Sequence, residues 1–153
     1  MSIIDVVKQF FEEEEWPFNQ LEGEMVLHTA VQGENGSWDC FTQIREDQQQ
    51  LIFYSTCPVI VLKDRRHAVM AFITRVNYGM AIGNFEMDLD DGEVRYKTSV
   101  DVENAHFSVP LMQSLVYTNV LTMDEYLPGI QAVAEAGVPP NEAIERIEGQ
   151  KPS

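Results

Sequence analysis

The sequence predicts an α+β fold: a five-stranded antiparallel sheet with flanking helices, in the order α-β-β-β-α-β-β-α-α. Three observations carry this prediction. The hydrophobic period changes at Gly79, from the three- and four-residue spacing of Val69, Phe72, Ile73 and Val76 to the two-residue alternation of Phe85, Met87 and Leu89. Short turn signals, Gly33-Glu34-Asn35-Gly36 and Asp91-Gly92, separate alternating segments, and strands joined by short turns are antiparallel neighbours. The last third of the chain returns to helical spacing, which supplies helices for one face or end of the sheet. Residues 1–149 form one domain, and residues 150–153 are expected to be a disordered tail.

Taken in order, Ser2 with Asp5 is a capping pair for a first helix whose Ile3, Ile4, Val6, Val7, Phe10 and Phe11 make one wide apolar face. Glu12 to Glu15 place negative charge where the helix dipole disfavours it, so this end frays before Trp16-Pro17 stops it. Met25, Leu27, Thr29 and Val31 alternate through 24–32, the 33–36 turn comes next, and 38–45 returns as a second strand. After a turn at 46–49, Leu51, Ile52, Phe53 and Tyr54 form a continuous apolar run, the mark of a strand covered on both faces or at the sheet centre. Pro58 interrupts it and leaves 59–62 as an extended link.

Asp64 is placed to cap a central helix over 65–78. Beyond Gly79, the 85–89 strand pairs with one carrying Val94, Tyr96, Thr98, Val100 and Val102, across a tight turn whose positive backbone dihedrals Asp91-Gly92 can supply. Ser108 and Pro110 open a helix with Leu111, Leu115, Val116 and Val120 on one face. Thr122 with Glu125 is a second capping pair, where this helix is expected to break and restart, and Pro128 is expected to kink or shorten the restarted segment. Gly137 ends that segment, and Pro139-Pro140 begin a short last helix with Ile144 and Ile147.

Composition narrows the function. A chain of 153 residues with 44% hydrophobic residues is long enough to bury one core. It has no apolar run of membrane-spanning length, and its N-terminus carries acids where a targeting peptide carries bases, so a cytoplasmic location is expected. A net charge of −15 repels phosphate backbones and anionic membranes, which argues against nucleic-acid or membrane partners. Cys40 and Cys57, with no close-spaced partner, are expected to be buried reduced thiols.

No catalytic or metal constellation survives inspection. His28, His67 and His106 are spaced 39 residues apart in each case, but their surroundings differ and no pair has zinc-ligand spacing. Asp88, Asp90 and Asp91 before Gly92 look like the start of a calcium loop, yet the glycine comes one position early and Ser99 stands where the bidentate Glu belongs. With no nucleophile elbow, phosphate loop or dinucleotide glycine pattern either, the expectation is a protein with no catalytic residues, no metal and no cofactor.

Two sets of residues remain as candidates. Six of the ten basic residues, Lys63, Arg65, Arg66, Arg75, Arg95 and Lys97, lie in or beside the central stretch, either as counter-charges to nearby acids or as an anion-binding site. Asn77 and Asn84 join them as groups able to serve a ligand or a helix end and strand start. The other set is a second stripe on the central helix, His67, Met70, Ala71, Thr74 and Tyr78, which is not the charged face of a solvent-facing helix. It fits a homodimer interface with close helix approach at Ala71 and Thr74, or else a face covered by the C-terminal helices.

The stretch RVNYGMAIGNFEMDLDDGEVRYKTSV, from Arg75 to Val100, resembles the signature region of the YbjN-like family. An Arg-x-Asn helix end leads there to a Gly-Asn-Phe-Glu strand and a Gly-Glu-Val-Arg return strand, and the resemblance extends through Trp38, the DEYLPGI segment at 124–130 and the prolines after Gly137. It implies a fold like that of the type III secretion chaperones, frequent homodimerisation and no established catalysis, and it carries a loose association with bacterial sensing or stress regulation. The preferred reading is a small acidic chaperone-like or regulatory protein that binds a protein client. The alternative is a small-molecule or anion sensor using the central basic residues.

Overall fold

A computed structural model describes residues 1–149; the tail expected at 150–153 lies outside the described residues. The chain opens with helix α1 (Ile3–Glu13), started by a reciprocal capping box in which the Ser2 hydroxyl accepts from the Asp5 amide and the Asp5 carboxylate from the Ser2 amide. Its buried stripe of Ile3, Val6, Val7, Phe10 and Phe11 docks on the core. Helical structure persists through Glu13, and Glu15 reverses the chain with φ 58°, laying Trp16 against the rings of Phe10 and Phe11.

Among the described residues the sheet has six strands, not five: β1 (Asn19–Gln20), β2 (Val26–Gln32), β3 (Ser37–Arg45), β4 (Gln50–Ile60), β5 (Asn84–Met87) and β6 (Glu93–Asp101). They are ordered β1-β2-β3-β4-β6-β5, antiparallel throughout. The missed strand, β1, has two exposed residues, too few for any alternation to register. The apolar run at 51–54 belongs to the longest strand, whose Leu51, Phe53, Ser55 and Cys57 are buried on one face while Ile52 and Tyr54 are half-buried on the other. Pro58 does not end β4. It lies in a register irregularity between Thr56 and Ile60, beyond the last pair with β3, so its missing N–H removes no ladder bond.

Helix α2 (Arg66–Tyr78) differs from expectation at its start: a 3-10 turn at Lys63–Arg65 precedes it, Arg65 is the cap residue, and Asp64 makes no capping bond. The β5–β6 loop, residues 88–92, is longer than a two-residue hairpin. Only Gly92 takes a positive φ, and Asp88 and Asp91 each accept a backbone N–H two residues on. Helix α3 (Val109–Ala136) is capped by Ser108 as expected, but it runs unbroken for 28 residues, about 42 Å at 1.5 Å per residue. Thr122 starts no new helix, because its hydroxyl donates back to the Thr118 carbonyl at 2.6 Å. Gly137 closes α3 with φ 69°, and α4 (Pro140–Glu148) completes the fold.

The core lies between one sheet face and helices α1 and α3, with α2 and α4 packed at the α3 flank. Asn119, fully buried on α3, donates its amide to the Phe53 and Tyr96 carbonyls, and Thr98 donates to the Leu115 carbonyl, so polar bonds as well as apolar packing fix α3 over β4 and β6. The opposite sheet face stays partly open. One cross-strand row on it runs Asn19, His28, Phe41, Tyr54, Lys97, Asn84 across all six strands.

Candidate functional site

The basic residues of the central stretch are dispersed. Arg65 donates from Nε and Nη2 to the Val133 carbonyl, at 3.1 and 2.7 Å, and so ties the start of α2 to α3. Arg66 donates to the carbonyls of Val61 and Leu89 at 3.0 Å each, holding the β5–β6 loop against the end of β4. Arg95 and Lys97 sit on the open sheet face, where both pair with Glu86 and the Arg95 guanidinium lies 4.1 Å from the Tyr54 ring centroid. Arg75 is exposed on α2. Arg65 and Arg66 are thus bound to backbone, and Arg95 and Lys97 share one carboxylate.

Asn77 and Asn84 converge on Phe85. The Asn77 side chain donates to the Phe85 carbonyl at 2.9 Å and accepts from the Phe85 amide at 2.7 Å, and Asn84 donates to the same carbonyl at 3.2 Å. Because β5 is an outer strand of the sheet, these are the groups it would offer to a further strand, and Asn77 occupies both. The Arg-x-Asn end of α2 therefore seals a sheet edge. Phe85 itself points inward, ring to ring with Tyr96 and Tyr126.

The histidines do not meet. His28 sits between Asn19 and Asp39 on the open sheet face, 3.2 and 2.8 Å away, whereas His67 and His106 are exposed elsewhere. Among the described residues, no group of three His, Cys, Asp or Glu side chains is placed to hold a metal ion. Burial pushes the Cys40 thiol up to about 12 and the Cys57 thiol up to about 11, which leaves both as protonated, unreactive sulfur at neutral pH.

Among the described residues, nothing covers the second stripe of α2. His67, Met70, Thr74 and Tyr78 are exposed and Ala71 is half-buried, although α3 and α4 both pack against other sides of this helix. Tyr78 is 95% exposed, so its ring makes almost no intramolecular contact.

A groove of about 960 Å³ lies between the β2–β3 turn, the middle of α3 and α4, with Trp16 at one end. Its shape depends on a three-residue arrangement. Pro128 has no N–H, which frees the Asp124 carbonyl from the helical ladder, and Asn35 Nδ2 donates to that oxygen at 2.8 Å. The Asp124 carboxylate accepts from the amides of Glu34 and Asn35 at 3.0 and 2.8 Å. A side chain at Gly33 would strike that carboxylate, so with any other residue there Asp124 would have to shift. The sequence held the signal, a proline four residues after an aspartate within an apolar helical pattern, but not the identity of the turn it grips.

The YbjN profile, described as "Putative bacterial sensory transduction regulator", matches residues 4–132. The chain belongs to the YbjN family. In fold it is similar to the crystal structure of E. coli YbjN, with a TM-score of 0.59 at 13% identity over 88% of this chain and 90% of that one. It is also similar to a chain of the HopA1-SchA chaperone-effector complex, TM-score 0.54 at 13% identity over 78% and 88% of the two chains. A chain of the ExsC-ExsE complex gives a TM-score of 0.58 at 10% identity over 83% and 95%. At such identities the likeness is one of fold. No curated protein matches the sequence. Among the described residues, no helix is long and apolar enough to cross a membrane.

Proposed function

We propose that this YbjN-family protein is a non-enzymatic protein-binding module, a chaperone-like regulator that works in the cytoplasm as a homodimer. The observation that carries the reading is the apolar surface left exposed among the described residues. Tyr78 and Met70 on α2 and Leu121 on α3 are exposed, Leu121 by 63%, on a chain whose net charge of −15 otherwise favours solvated separation. Support comes from the fold shared with chains of the HopA1-SchA chaperone-effector complex and the ExsC-ExsE complex. The sensor alternative is weaker, because Arg65, Arg66, Arg95 and Asn77 each direct side-chain donors to partners inside the fold.

The homodimer is assigned to the α2 stripe, where half-buried Ala71 between His67, Met70, Thr74 and Tyr78 admits a second helix at close range. Light scattering with size exclusion should return twice the 17.4 kDa chain mass for the wild type and one chain mass for Ala71→Glu, which places an unpaired carboxylate in the contact. A wild-type monomer sinks the dimer. Protein binding is tested by cross-linking in cells and then reconstitution of a stoichiometric complex from purified components; thermal stabilisation by a metabolite, with no complex recovered, would favour the sensor instead.

A further inference from the structure

We infer that the groove between the β2–β3 turn, α3 and α4 docks a basic amphipathic helix of a partner protein, an inference that rests on the protein-binding reading above. The floor is apolar, with Trp16, Val120, Leu121, Pro128, Ala132 and Ile147 facing the space. Leu121 lies in it 63% exposed, and Val120 beside it is 8% exposed. A docked apolar side chain would remove the Leu121 surface from water.

The walls decide the conformation of the occupant. Two of them are helices, and the third is a turn whose amides are already used: Gly33 donates to the Gly36 carbonyl at 2.8 Å, and Glu34 and Asn35 donate to Asp124. Of the sheet, only Val31 and Gln32 of β2 reach the groove, past the end of the short pairing with β1, too little strand edge to carry a ladder along its length. A helix satisfies its own backbone and needs only a row of apolar side chains at three- and four-residue spacing. From Tyr117 to Ala132, α3 offers a wall about 22 Å long, or about four turns of a docked helix.

The rim decides the charge. Glu34, Asp124 and Glu125 border the groove, while its one lining arginine, Arg146, is 2.8 Å from the Glu142 carboxylate. The local field thus has the same sign as the −15 of the whole chain and selects Lys or Arg on the polar face of the incoming helix. Because Asp124 and Asn35 hold the turn against α3, the groove is formed before the partner arrives, which lowers the ordering cost of binding.

The test uses a synthetic fifteen-residue peptide, capped at both ends, with Leu along one helical face and Lys elsewhere, and two controls that replace Lys by Glu or Leu by Ser. Trp16 emission reports occupancy, since Trp38 is buried and donates to Ser55. The Leu/Lys peptide should saturate one site per chain at physiological salt, and both controls should bind at least tenfold more weakly. Leu121→Arg should weaken the Leu/Lys peptide at least tenfold, whereas Leu89→Arg, equally a charge change at an exposed position on the β5–β6 loop, should not. No saturable binding by any peptide overturns the inference, as does equal weakening by both variants, which would mark a bulk charge effect. Binding undiminished in Leu121→Arg also overturns the groove, but leaves the protein-binding reading standing on another surface.

Discussion

The central stretch from α2 to β6 and the groove beside α3 differ in where their polar groups go. In the first, Asn77 and Arg66 bind backbone 5 to 24 residues away and Arg65 binds the Val133 carbonyl 68 residues away, so the most distinctive residues of the sequence build and seal structure. In the second, Asp124 and Asn35, 89 residues apart, meet to hold open a cleft whose apolar floor stays partly exposed among the described residues. Distinctive local motifs here mark architecture, and the surface available to other molecules arises from contacts far apart in sequence.

The largest effect should come from removing Phe85, the inward anchor of the central stretch. Its ring is 2% exposed and packs edge-on to Tyr96 at 4.8 Å, so Phe85→Ala should cost about 3–5 kcal/mol. Glu86→Ala on the opposite face should cost far less, and urea midpoints of the two variants decide. Similar midpoints would erase the distinction between the packed and open faces of β5.

Asn77→Leu should rank second. It removes the partner of the Phe85 amide and one of the two donors to the Phe85 carbonyl in a part-buried setting, at a cost of about 1–3 kcal/mol. It also unseals the outer edge of β5, so the variant should associate through that edge in a concentration-dependent way that sedimentation can track. An Asn77→Leu protein as stable and as dispersed as wild type would show that the motif serves something other than the edge.

This ordering matches what could be read from sequence. The capping box at Ser2 and Asp5, the stripe of Val69, Phe72, Ile73 and Val76, and the alternation around Phe85 are local patterns, and each appears in the fold where its period placed it. Strand β1 escaped because two exposed residues carry no period, and β4 was cut short because a proline at a register irregularity looks the same in sequence as one that ends a strand. The continuity of α3 through Pro128 was hidden for a similar reason. The carbonyl freed by Pro128 is satisfied by Asn35, from a turn far away in the chain, and only the tertiary structure supplies that donor. The groove was illegible because its walls come from three separate segments.

A third, smaller effect should come from Asp124→Ala. The turn amides of Glu34 and Asn35 are near solvent, so water can replace the lost carboxylate and the stability cost should be about 1 kcal/mol. Hydrogen exchange should nevertheless accelerate at those two amides and not at Phe85, separating the groove wall from the central stretch. Uniform acceleration across the domain would mean that the turn is not an independent unit.

The smallest expected effect is none, and it concerns the loop within the central stretch that most resembles a ligand site. Asp88, Asp90 and Asp91 crowd the β5–β6 connection, and three carboxylates near a glycine invite a calcium ion. Two of them are already committed, the Asp88 side chain accepting the Asp90 amide at 2.9 Å and the Asp91 side chain the Glu93 amide at 2.8 Å. Gly92 is pressed against the Val61 carbonyl, and its own carbonyl accepts from the Val61 amide at 3.0 Å, so the loop is moored to the end of β4. Ser99, where a calcium loop carries its bidentate Glu, sits within strand β6, so the moored loop lacks that ligand. Titration calorimetry should therefore record no stoichiometric calcium heat below millimolar concentration. A saturable heat at one ion per chain would reverse the comparison, giving the central stretch a ligand of its own and turning its acids from turn-formers into a binding site.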